Sequence, residues 1–142
     1  MFKTILLPID LDQESSWLRA LPVAEQLAKD YGASLHVIAV IPTMGMSVVG
    51  SFFPADFEKK AMAAGQAKLK EIVDKSASDP AAITRHLAHG TIYEEVIFTA
   101  DKLGCDLIVM TSHRPELKDY LIGPNAARVV RHASQSVFIV RD

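Results

Sequence analysis

Five apolar runs, each the length of a β-strand, are spaced along this chain with a helical pattern in every gap between them. The runs are TILLPI from Thr4, SLHVIAVI from Ser34, AITRHLA from Ala82, DLIVM from Asp106 and SVFIV from Ser136. Over Ser15–Tyr31, Ala55–Ser76, Thr91–Leu103 and Pro124–His132 the apolar residues instead fall at helical spacing. Strict alternation of this kind, with strands apolar nearly throughout, predicts a parallel sheet. Such strands are buried on both sides and need helices on both faces. The 142 residues form one α/β domain, 1–142, large enough to bury a core without disulfide or metal staples. Gly32 and Gly104 stand where helices would end on C-cap glycines, and Thr91 with Glu94 has the form of a capping box.

Composition removes several function classes. Lys and Arg number 15 against 17 Asp and Glu, for a formal net charge of -2, so no basic surface points to nucleic acid or to an anionic membrane. Cys105 is the single cysteine, which precludes an intramolecular disulfide and suits a reducing compartment and a core position. The opening MFKTILLPID is unlike a secretory signal, and no apolar stretch reaches membrane length. The expectation is a cytoplasmic protein.

In an open parallel sheet a ligand binds beyond the carboxyl ends of the strands, where neighbouring helices diverge. The loops available here begin at Pro8, at Val40–Pro42, at Gly90 and at Thr111. In PIDLDQESS, beginning with Pro8 and Ile9, the Asp10 carboxylate suits a ribose hydroxyl or a base. Asp12, Ser15 or Ser16 is more simply a helix N-cap. Val40 is either a buried strand residue or a source of backbone groups for a purine edge. The loop TSHRPELKDYLIGPNA, from Thr111 to Ala126, leads from a strand into a helix. Gly123 is expected at the N-cap and Pro124 at the first helical position. The free N–H groups of Asn125 and Ala126 would then face an anion at the positive end of the helix dipole. Pro124 itself brings no N–H. Ser112, His113 and Arg114 add side-chain donors, although a solvated loop would carry the same residues. The stretch PTMGMSVVGSFFP, Pro42–Pro54, is too apolar for an ordinary loop. It is either folded onto the core, a lid, or a docking surface for a protein partner.

KTILLPIDLDQESSWLRAL, SLHVIAVIP, LAHGTIYEEVIFTADKLGCDLIVMTSH and LIGPNAARVVRHASQSVFIVRD together resemble the universal stress proteins along the whole chain. The resemblance implies a Rossmann-like fold with strand order 3-2-1-4-5 and a homodimer; the apolar C-terminal strand SVFIVRD, expected at the sheet edge, would pair with its copy. The resemblance also implies an adenine nucleotide, ATP or AMP, as ligand, ATP being taken with or without Mg. Asp10 and Val40 would contact the adenosine. A stress-response regulator without robust catalysis is implied, capable at most of weak ATP hydrolysis. The alternative is an interaction dimer of the same fold that binds no nucleotide.

Members that bind ATP carry Gly-x2-Gly-x9-Gly-Ser/Thr after the fourth strand. In this chain Thr111, Arg114, Gly123 and Pro124 occupy those positions, with one residue fewer before Gly123. SHRP followed by LIGPNA is similar to the small F/G-type subgroup, in which Gly-Ser-Asn opens the helix; Pro124 replaces that Ser.

Other folds and chemistries of this size fit less well. A response-regulator receiver needs an Asp after strand three and a Lys after strand five, where this chain has LAHG and IVRD. A hydrolase Gly-x-Ser-x-Gly elbow is absent from the sequence. The five histidines lie on separate elements, and His86 with His89 is not expected to bind metal.

Overall fold

The computed structural model describes residues 1–42, 57–112 and 123–141. Five strands, β1 (Thr4–Ile9), β2 (Ser34–Pro42), β3 (Ile83–Gly90), β4 (Leu107–Ser112) and β5 (Ser136–Arg141), form one sheet in the order β3-β2-β1-β4-β5. All neighbours are parallel, with Ile5 opposite Leu35 on one side of β1 and opposite Leu107 on the other. The helices are α1 (Ala20–Tyr31), α2 (Phe57–Ser76), α3 (Ile92–Leu103) and α4 (Pro124–His132).

The two-residue period of a strand divides β1 between two cores. Ile5, Leu7 and Ile9 pack with Ala20, Leu21 and Ala24 of α1 and Leu69, Ile72 and Val73 of α2. Leu6 packs on the other face with Val96 and Ala100 of α3 and Ala126 and Val129 of α4. Cys105 is buried in this second core. Gly32 and Gly104 end α1 and α3 at φ 64° and 68°, the left-handed conformation that a glycine adopts without strain.

Some boundaries and caps differ from expectation. Helix α1 starts at Ala20, not Ser15, because Glu14–Ser16 forms a separate 3-10 turn. Neither Asp12, Ser15 nor Ser16 caps α1: its N-cap is Arg19, which makes no side-chain cap bond. Ser16 is occupied elsewhere. Its hydroxyl accepts the Asp10 N–H at 2.8 Å and lies 2.7 Å from the Gln13 carbonyl, tying the loop after β1 into a tight knot. Thr91 is the N-cap of α3 but makes no capping side-chain bond, so the Thr91–Glu94 box is not formed. Ala55 and nearly all of Pro42–Pro54 lie outside the described residues. Among the described residues no helix is long and apolar enough to cross a membrane.

Candidate functional site

The order β3-β2-β1-β4-β5 makes β1 and β4 the neighbours from which the chain winds in opposite directions, so the crevice opens above their carboxyl ends. A cavity of about 730 Å³ lies there, within the usual range for small-molecule sites. Pro8, Ile9, Asp10, Val40, Thr111, Gly123, Pro124, Asn125 and Ala126 all line it. Residues far apart in sequence are gathered by the parallel topology, which delivers every strand's end to one side. Ser112 ends β4 beside this wall without lining the cavity. His113 and Arg114 lie outside the described residues.

Each contribution has a local cause. The Asp12 N–H donates to Asp10 Oδ1 at 2.9 Å, an Asx-type turn that fixes the Asp10 carboxylate at the strand end. Thr111 Oγ1 donates to the Ser16 carbonyl at 3.1 Å, fastening the end of β4 to the loop after β1. Gly123 is the N-cap of α4 in extended conformation and Pro124 is the first helical residue. The Ala127 N–H closes the first turn onto the Gly123 carbonyl at 2.9 Å. The Asn125 and Ala126 amides precede that bond and so have no helical acceptor.

One wall was missed by sequence reasoning. Ala61, Ala64, Gly65 and Lys68 of α2 line the cavity. Their spacing of three, four and seven residues from Ala61 puts them on one face of the helix. A Cβ on Gly65 would lie 2.9 Å from Ile41 Cδ1 and 3.0 Å from Leu87 Cδ2, so this glycine lets α2 sit close against β2 and β3. A glycine inside a long helical pattern was the available signal. Lys68 Nζ donates to Asp12 Oδ1 at 2.8 Å. Ile38, Met110, Ile92 and Val96 complete an apolar floor.

His86 and His89 do not act together, since residues three apart in a strand face opposite sides. His89 meets Glu58 of α2 at 3.2 Å, whereas His86 Nε2 lies 2.9 Å from His36 Nδ1 on the other face. Among the described residues no three metal-ligating side chains cluster.

Comparison with known proteins agrees with this architecture over the whole chain. The family model described as the universal stress protein family matches residues 1–141. Universal stress protein G of Escherichia coli O157:H7 is 34% identical over 144 residues, covering 99% of this chain and 100% of that protein. Universal stress protein MJ0531 of Methanocaldococcus jannaschii is 29% identical over 146 residues, covering 99% and 83%. Among solved structures, a universal stress protein in complex with cAMP superposes with a TM-score of 0.69 at 25% identity, over 99% of this chain and 97% of that one. The hypothetical protein PH0823 shares the fold, with a TM-score of 0.74 at 23% identity over 100% and 97%. A matching family model, a full-length relative and the 3-2-1-4-5 sheet together establish that the chain belongs to the universal stress protein family, in its F/G-type subgroup.

Proposed function

We propose that this protein is a homodimeric, cytoplasmic stress-response regulator that binds an adenine nucleotide, ATP or AMP, and does not turn it over efficiently. The observation that carries the reading is the convergence of Asp10, Val40 and the amino end of α4 on one cavity of about 730 Å³ at the sheet's switch point. Asp10 would take a ribose hydroxyl, and the strand end at Val40 would meet the purine edge. The Asn125 and Ala126 amides would take phosphate oxygens. The apolar floor suits a planar base, and Mg would enter on the polyphosphate. A structural relative bound to cAMP supports the ligand class.

The competing reading is an interaction dimer that binds no nucleotide. Two observations favour it: Pro124 removes one amide from the anion site, and the Thr111 hydroxyl is committed to Ser16. Thermal unfolding in adenosine, AMP and ATP separates the two. A ligand at a hundred times its Kd adds roughly 2.7 kcal/mol of stability, a rise of about 5–10 °C for a domain of this size. Asp10→Ala is expected to abolish that rise. Absence of any shift in the unsubstituted protein at millimolar nucleotide, with no adenine released on denaturation, would leave the interaction dimer.

A further inference from the structure

Lys68 stands on the α2 wall of the crevice, and among the described residues that line it Lys68 is the one cationic side chain. Its partner Asp12, 2.8 Å away, also lines the crevice and belongs to a different element, the loop after β1. The two side chains are 48% and 82% exposed. Solvent screens an exposed pair, and holding two long side chains in one geometry costs entropy, so the pair contributes little and is readily exchanged. The rest of the lining face of α2 is Ala61, Ala64 and Gly65, too small to compete for that space.

The need for a cation follows from the opposite wall's chemistry. Pro124 has no N–H to offer, and Thr111 spends its hydroxyl on the Ser16 carbonyl. A short set of backbone donors leaves part of a polyphosphate's charge for a charge-assisted side-chain contact to meet. An ammonium on the same cavity adds a charge that those donors lack. We propose that Lys68 is the residue through which this crevice senses the number of phosphates on its ligand, with Asp12 holding the ammonium until a phosphate displaces it. The inference rests on the adenine-nucleotide reading above, and it makes charge, rather than the base alone, the basis of selection. Asp12 is then an internal competitor: it keeps Lys68 at the crevice and lowers affinity for anions at the same time.

Calorimetric titration of adenosine, AMP, ADP and ATP tests this in the full-length protein. Affinity is expected to rise from adenosine to ATP, and Lys68→Gln to reduce the ATP-to-adenosine affinity ratio by about tenfold, the usual scale for one charge-assisted contact. Lys68→Arg should restore most of the ratio. Asp12→Asn should raise it a few-fold, with the gain fading at high salt as screening grows. A ratio unchanged in Lys68→Gln overturns the assignment. So does a ratio that collapses in Arg114→Gln while Lys68→Gln keeps it, since the charge then comes from the loop before α4. If the unsubstituted protein binds neither adenosine nor ATP, the adenine-nucleotide reading itself has failed, an outcome distinguishable from adenosine binding with a charge-independent ratio.

Discussion

Pro124 has opposed effects at one position. Its fixed φ suits the first residue of α4 and favours the helix start, yet it deletes one of the amides that a helix terminus offers to an anion. Pro124→Ser restores an N–H and adds a hydroxyl at the crevice. Hydrogen bonds to charged groups contribute about 1.5–3 kcal/mol each before ordering costs, so ATP affinity should rise by about tenfold in calorimetry. Equal affinities would mean that the missing amide never faced the phosphates, and that Pro124 matters only to the helix. Cys105 shows a residue with no such second role. Burial, with the charge of Asp106 added, pushes its thiol up to about 11, which keeps it protonated and unreactive in the second core.

Strands β2 and β3 carry a feature that belongs to the pair and to neither alone. His36 and His86 meet at 2.9 Å on one face, with their rings tilted by 33°. Burial holds both imidazoles below their ordinary value of 6.5; for His86 the positive charges of His36 and Lys102 act in the same direction. The unfolded chain takes up these protons near pH 6.5 while the folded chain resists them. The pair's contribution to stability is therefore complete above that pH and is lost as pH falls through the depressed folded values. Melting temperature should drop between about pH 7.5 and about pH 5.5, and His36→Gln with His86→Gln should flatten the slope over that interval. A slope unchanged in the double variant would place the effect elsewhere. Contacts of this kind were hidden in the sequence because they depend on register: Ile38 lies opposite His86, which sets His36 diagonally beside it. The elements themselves were legible, since burial on both faces writes β1, β2 and β4 as apolar runs, and Gly123 with Pro124 marked the start of α4 within one residue. The start of α1 was not. Ser15 and Ser16 have the composition of a cap, but Ser16 bonds back to Asp10 and Gln13, and local side-chain bonds of that sort compete with helix. The crevice was readable from strand ends, whereas its α2 wall was not, because Ala61, Ala64 and Lys68 resemble any solvated helix face until the packing around Gly65 is known.

At the scale of the whole molecule the sheet ends in two edges, β3 and β5, and an unpaired edge is a template for another chain. On β5, Val137 and Ile139 are partly buried against the second core and Val140 is buried in the first, which leaves Phe138 as the large apolar side chain at 44% exposure. A two-fold pairing of β5 with its copy would cover Phe138 and close that edge. Phe138→Glu tests this pairing at an exposed position, whereas Val140 is only 8% exposed and a substitution there would harm the protomer itself. The glutamate is expected to convert a dimer to a folded monomer by light scattering, with the far-ultraviolet circular dichroism retained. Melting temperature should rise with protein concentration in the unsubstituted chain and lose that dependence in the variant, because association stabilises only the folded state. An unchanged mass would overturn pairing through β5. The same variant also separates the crevice from the interface: the crevice opens above the ends of β1 and β4, whereas Phe138 lies on the edge strand β5 and does not line it, so a Phe138→Glu monomer should still show the thermal shift with ATP. Loss of that shift together with the dimer would make the site depend on the partner chain.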